Sequence, residues 1–172
     1  MMYRIEKVLN HNTVIAIHQD DHKEVLIMGK GVGFGRKVAE RIKVRPEDRL
    51  YSLQKYKERG GAKEIIKSIA PEFLELTNAV LDEAEKVFGK IDRMVLFPLA
   101  DHIAFAVKRI QNHEQISNPL TEDIRVLFHM EFKVAESIRP LLKKQFQIDI
   151  EDDEIGYVAL HIHSAIEDEK VS

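Results

Sequence analysis

The chain has 172 residues, with 26 Lys and Arg against 29 Asp and Glu, a formal net charge of −3 and no cysteine. A disulfide framework and a thiol nucleophile are therefore excluded, and no apolar run approaches the eighteen or so residues of a membrane span or the apolar core of a secretory signal. One or two small domains in the cytoplasm are expected. Charge is unevenly placed: residues 1–55 hold 11 cations against 7 anions, net +4, whereas residues 56–172 hold 15 against 22, net −7. The basic head can attract a polyanion and the acidic body cannot.

In chain order, Ile5 and Leu9 alternate with Arg4 and Glu6, which predicts a short strand from Tyr3 to Leu9. Asn10-His11-Asn12 reads as a turn, Thr13 to His18 as a β-branched strand, Gln19 to His22 as a polar connection and Lys23 to Met28 as another strand, forming a meander. Gly29-Lys30-Gly31-Val32-Gly33-Phe34-Gly35-Arg36-Lys37 follows, holding four of the chain's eight glycines. Alternate glycines free one side of the backbone of Cβ atoms and permit positive φ, which suits a phosphate or base edge and equally a hairpin connection. A nucleotide loop fails on register. Five residues on from Gly29 stands Phe34 and five on from Gly31 stands Arg36, where G-x-G-x-x-G needs glycine, and Gly35 precedes Arg36 where a P-loop needs Lys-Ser/Thr. Val38 to Val44 is basic and ambiguous, Arg45-Pro46-Glu47-Asp48 is a turn, and Arg49 to Leu53 supplies a fourth strand. Four strands in about 55 residues bury little surface, so dimerisation through one sheet face is expected.

Near Lys55 strand patterns stop, and Arg59-Gly60-Gly61 reads as a linker. Ala62 to Ala70 begins a helical run. Pro71 opens a second helix, whose stripe of Phe73, Leu74, Leu76, Val80, Leu81, Ala84, Val87 and Phe88 ends at Gly89. Asp92 caps a helix from Arg93 to Gln111, Asn118-Pro119 turns, Thr121 with Glu122 and Asp123 opens a long helix to about Phe146, and Asp152 or Asp153 caps a last helix through Ile166. The predicted fold is multidomain, β + α: a four-stranded antiparallel sheet over residues 1–57, a linker over 58–64 and an all-α bundle of about five helices over 65–172.

Eight histidines are spread along the chain. His161 and His163 stand about 200° apart on a helix, so their rings diverge and a metal site is not expected. His102 borders the stripe of Ile103, Val107 and Ile110, where spacing alone suits a packing residue with a satisfied ring nitrogen.

Four motifs nevertheless stand in a recognisable order: Leu9-Asn10-His11-Asn12; the Met28 to Lys37 glycine stretch; Ala100-Asp101-His102-Ile103-Ala104-Phe105-Ala106-Val107-Lys108-Arg109; and Asp153-Glu154-Ile155-Gly156-Tyr157-Val158-Ala159-Leu160-His161-Ile162-His163-Ser164-Ala165. Together they resemble the transcriptional antiterminators of the BglG/SacY/LicT family, with wording closest to the glucose-type members. The resemblance implies a homodimeric β-sheet head that grips an RNA hairpin overlapping a terminator, so that transcription continues into sugar-transport genes, followed by the first of the family's usual two phosphotransferase-system regulation domains. It implies phosphorylation of His102 and His161 by a sugar-specific enzyme II or HPr. No cofactor, catalytic turnover, DNA partner or membrane insertion is expected.

Residue chemistry suits those roles. Asn12 carries a donor and an acceptor for base edges, with Asn10 holding the turn; Phe34 can stack on an unpaired base between Gly29, Gly31 and the later glycines; Lys7, Lys30, Arg36 and Lys37 can meet phosphates. Asp101 is the candidate to orient the His102 ring and Glu154 or Tyr157 the His161 ring, and His163 is structural or a lesser contact. Members of the family commonly carry an arginine at the place of Lys30 and a Gly-Asp turn near Val38-Ala39-Glu40, so contact geometry there departs from theirs. The rival is a histidine phosphocarrier or phosphotransferase-associated enzyme whose basic head docks a protein.

Overall fold

A computed structural model of the chain describes residues 2–53, 61–114 and 116–171. It divides into two compact units, Met1–Pro71 and Glu72–Ser172. The expected linker at Arg59-Gly60 lies outside the described residues, and Gly61 directly precedes a helix.

The first unit is a sheet of β1 (Met2–Asn10), β2 (Thr13–His18), β3 (Glu24–Met28), β4 (Arg41–Lys43) and β5 (Arg49–Ser52), all pairs antiparallel, in the order β4-β1-β2-β3-β5. The expectation of four strands is corrected to five. β4 pairs Tyr3 with Ile42 and Arg4 with Arg41, but its three residues carry a single inward side chain, Ile42, too short a pattern to register as alternation. β1 shifts register against β2 between Ile5 and Lys7 and between Val8 and Asn10, bends of the kind that β-bulges impose. One face packs Tyr3, Ile5, Val14, Ala16, Ile27 and Ile42 with Val32, which reaches in from the glycine loop. In the same unit α1 (Ala62–Ser68) buries Ile65 and Ile66, and its Lys63 Nζ donates to Glu24 Oε1 at 2.8 Å.

The second unit is helical: α2 (Pro71–Phe88, whose first residue closes the first unit), a 3₁₀ turn (Arg93–Val95), α3 (Leu96–Gln111), α4 (Thr121–Leu127), α5 (His129–Ala135), α6 (Ile138–Phe146) and α7 (Asp152–Val171). Gly89 ends α2 with φ +77°, the left-handed residue that helix termini favour. Along the α2 stripe Val87 is exposed instead of buried. Asp92 accepts from the Met94 N–H at 3.0 Å and so caps the 3₁₀ turn. The α-helix starts only at Leu96, because Pro98 has no N–H for the Met94 carbonyl. Arg93 pins that turn to α2 through Asp82, Glu85 and Asn78 at 2.9, 2.7 and 2.6 Å.

The single long helix expected from Thr121 to Phe146 is corrected to α4, α5 and α6. Phe128 leaves helical geometry at φ −119°, ψ 53°. Pro140 cannot donate to the Glu136 carbonyl, so the chain restarts at Ile138 with Pro140 in the first turn, where no N–H is required. α7 packs against α3, α4 and α5. Gly156 permits the close turn at its side, since a Cβ there would stand 2.9 Å from Asn118 Nδ2. No helix among the described residues is long and apolar enough to cross a membrane.

Candidate nucleic-acid interface and histidine pair

In the sheet unit the glycine loop is strapped to the β1–β2 turn. Gly29 N–H donates to the Asn12 carbonyl at 3.0 Å and Gly33 N–H to the His11 carbonyl at 2.8 Å, while Asn12 Oδ1 accepts from Gly31 N–H at 2.8 Å. Asn10 Oδ1 accepts from Asn12 N–H at 2.9 Å and from the Thr13 hydroxyl, forming an Asx-type turn. The four glycines serve two different needs. Gly31 and Gly35 hold φ near +70° in open space. A Cβ on Gly33 would stand 2.3 Å from the Asn10 carbonyl oxygen, and one on Gly29 would stand 1.9 Å from Asp48 Oδ1. Close internal approach, not access for a ligand, explains that second pair.

With Val32 in the core, Phe34 is left 67% exposed, its ring meeting His11 edge-on at 5.0 Å. An aromatic of that size kept outside is the informative kind of exception. Asn10, Asn12, Gly29, Lys30, Gly31 and Phe34 are thus gathered at one end of the sheet, with Arg36 and Lys37 at the close of the loop and Lys7 three residues before Asn10 on β1, roughly 10 Å along the strand. Among the described residues Lys7 and Lys30 form no ion pair, whereas Arg36 pairs with Glu40 at 2.5 Å and Lys37 adds its charge beside the same carboxylate. Sequence reasoning did not single out Arg45 and Asp48. The buried Asp48 carboxylate takes the Arg45 guanidinium at 2.8 Å, and Arg45 Nη2 also donates to the Lys30 carbonyl at 2.8 Å, bracing the loop from below. The only signal was their i,i+3 placement around Pro46.

In the helical unit α3 and α7 bring His102 and His161 together, ring centres 5.4 Å apart. Glu154 comes to His102 and not to His161: Oε2 lies 3.5 Å from His102 Nε2, and Oε1 accepts from Arg109 Nη2 at 2.9 Å. Glu154 is 1% exposed. Burial pushes its carboxyl up, but the nearby His102 ring and the Arg109 guanidinium outweigh this and hold it below the usual glutamate range. His161 Nδ1 stands 2.9 Å from the Tyr157 carbonyl oxygen. It is thus the Tyr157 backbone that holds His161, while the Tyr157 ring tilts towards His102 at 5.7 Å. Burial, and secondarily the His102 charge, lower the His161 pKa against the raising effect of the Tyr157 carbonyl. Asp101 is half-buried, one residue and about 100° around the helix from His102. His163 turns to α5, its Nδ1 2.7 Å from Glu131 Oε2 and its ring stacked 3.9 Å from Phe128, the divergence expected of residues two apart.

Comparison with known proteins follows the same division. Residues 3–60 match the CAT RNA binding domain and residues 75–165 the PRD domain. The "GlcA/glcB genes antiterminator" of Staphylococcus carnosus (strain TM300) is 32% identical over 173 residues, covering 96% of this chain and 58% of the relative. "Protein GlcT" of Staphylococcus epidermidis is 30% identical over 167 residues, covering 94% of this chain and 57% of that protein. The chain therefore spans somewhat over half the length of the curated relatives it matches. A solved structure described as "Crystal structure of GlcT CAT-PRDI" superposes with a TM-score of 0.81 at 30% identity, covering 96% of this chain and 99% of that one.

Proposed function

The chain belongs to the family that joins a CAT RNA-binding domain to a PRD domain, and from that premise we propose that it is an RNA-binding transcriptional antiterminator controlled by phosphorylation of its helical unit. The sheet unit binds an mRNA hairpin that overlaps a terminator, through Asn10, Asn12, Gly29, Lys30, Gly31, Phe34, Arg36, Lys37 and Lys7. The genes kept transcribed are those of sugar uptake, of the glucose-permease type, as the names of the relatives suggest. Residues 1–57 act as the RNA-binding domain, 58–64 as connection and 65–172 as the first regulation domain, in a cytoplasmic homodimer. His102 and His161 accept phosphate from enzyme II or HPr, which do the catalysis; the chain itself is a regulator.

The observation that carries this reading is Phe34: an exposed aromatic, presented beside His11 on a loop fixed to the Asn10–Asn12 turn and flanked by cations. Unpaired bases stack on such a ring. A phosphocarrier with a protein-docking head is disfavoured by the RNA-binding-domain match over residues 3–60. In a gel-shift titration the chain should prefer a structured RNA hairpin over double-stranded DNA; micromolar or weaker binding without that preference would sink the reading. Incubation with phosphoenolpyruvate, the general phosphotransferase proteins and the permease should label the chain, with the His102 share of the label lost in His102→Ala and the full label kept in His163→Ala.

A further inference from the structure

The two facing histidines meet their polar neighbours through different ring nitrogens. The partner of His161 Nδ1 is a backbone carbonyl, 2.9 Å away, and a carbonyl can only accept, so Nδ1 carries the ring proton and Nε2 carries the lone pair. His102 presents the other nitrogen. Its Nε2 is fully enclosed and lies 3.5 Å from Glu154 Oε2, an ion-pair approach in which neither atom has a hydrogen-bond partner among the described residues. Arg109 holds the far oxygen of the same carboxylate, which keeps Glu154 ionised and its near oxygen turned to the ring. An ionised carboxylate also only accepts, so the His102 proton sits on Nε2. The 22% of the His102 side chain that stays accessible lies away from that enclosed atom.

We infer that His102 and His161 are held in opposite tautomers, so that the phosphoryl acceptor is Nδ1 in His102 and Nε2 in His161. This rests on the phosphorylation proposed above and adds to it the atom at each position. The step is a transfer from a phosphohistidine-bearing donor protein. The lone pair on the unprotonated nitrogen attacks phosphorus, a new P–N bond forms as the donor's P–N bond breaks, and the released electron pair stays with the donor imidazole. The proton already on the acceptor ring remains where it was, on Nε2 of His102 and on Nδ1 of His161, and leaves each ring an imidazolium bonded to phosphate. Arg109 and Glu154 are positioning residues in this scheme. They select the nitrogen and do not touch the phosphoryl group.

The test uses the full chain labelled with ¹⁵N-histidine. Before any modification, long-range ¹H–¹⁵N spectra at neutral pH should show His102 protonated at Nε2 and His161 at Nδ1; the same tautomer in both rings would overturn the inference. The chain is then treated with phosphoramidate, a small donor that needs no protein partner, and in parallel with phosphoenolpyruvate and the general phosphotransferase proteins. Attachment at Nδ1 of His102 and Nε2 of His161 supports the inference, and attachment at the other nitrogen of either ring overturns it. If phosphoramidate gives those isomers while the protein donors give none, the assignment of atoms stands and the proposed regulation by phosphotransferase proteins falls. In Glu154→Gln, whose amide can donate as well as accept, His102 should lose its single tautomer and yield both isomers, with His161 unchanged at Nε2. A His102 tautomer identical to that of the parent chain would remove Glu154 from the scheme.

Discussion

The side-chain carbonyl of Asn12 accepts the Gly31 N–H at 2.8 Å, so a residue suited to reading base edges also fixes the backbone of the loop that carries Phe34. The two roles use different ends of the amide. Asn12→Asp keeps an acceptor for Gly31 but removes the NH₂ donor and adds a negative charge near Lys30, whereas Asn12→Ala removes both ends. A hydrogen bond of this kind contributes about 1 kcal/mol net. The alanine variant should therefore lower the stability of the sheet unit by about that much in urea unfolding, and the aspartate variant by less, while both bind the RNA hairpin more weakly. Equal unfolding midpoints for the two variants would show that the carbonyl does not anchor the loop.

Phe34 makes the complementary case, since its exposure means that Phe34→Ala removes almost no packing. Unfolding should be unchanged and RNA affinity should fall at least tenfold, in line with the roughly 1–3 kcal/mol that a stacked base contributes. If about six phosphates are neutralised per dimer, log affinity should fall with log salt at a slope near −4, taking about −0.7 per contact for single-stranded RNA. An unchanged affinity would remove the stacking contact. A flat salt dependence would remove Lys7, Lys30 and Lys37 from the interface.

What the sequence made legible was local. The β-branched run from Thr13 to His18, the Asn10–Asn12 turn and the α2 stripe each carry their structure in a few neighbouring residues, and each formed as its pattern predicts apart from the exposed Val87. β4 was missed because one inward residue makes no period. The break at Pro140 was written in the sequence, yet the strong helical pattern on both sides masked it; the break at Phe128 had no such marker. The site was legible as motifs and not as partners. That Glu154 meets His102 across α3 and α7, and that Asp48 sits under Gly29, depends on packing between segments 52 and 19 residues apart, which spacing along one helix cannot reveal.

Ala39 occupies a place that glycine would fill better. Its φ is +73°, imposed by two bonds that fasten the turn to β1: Ala39 N–H to the Ile5 carbonyl at 2.7 Å and Ile5 N–H to the Glu40 carbonyl at 2.9 Å. The left-handed conformation costs an L-residue roughly 1–2 kcal/mol, of which glycine returns a part as unfolded-chain entropy. Ala39→Gly should stabilise the sheet unit by about 0.5–1 kcal/mol, raising its melting temperature by several degrees for a unit of this size. A lower melting temperature would mean that the turn relaxes on its own.

His161 and Glu154 make the helical unit sensitive to acid in two separate windows. Burial holds the folded pKa of His161 below the ordinary value of about 6.5, so as pH falls the unfolded chain takes up this proton first. Its contribution is complete above about pH 6.5 and is lost as pH drops from there through the folded pKa. Glu154 also has a lowered folded pKa, so its contribution is complete above the ordinary glutamate range near about 4.3 and is lost only below it. Urea midpoints of the parent chain should therefore decline in the first window, and His161→Gln should flatten that decline while leaving the second window intact. Comparison with the parent cancels the histidines that do not act on His161, including His163, which pairs with Glu131. Glu154→Gln should behave differently again. It deprives Arg109 of its counter-charge and costs about 3 kcal/mol at neutral pH, the low end for breaking a buried pair because Arg109 keeps some contact with solvent, and the acid window below about pH 4.3 should weaken with it. A His161→Gln variant whose midpoint falls between pH 7 and 5.5 as steeply as the parent's would show that His161 is not held neutral by burial.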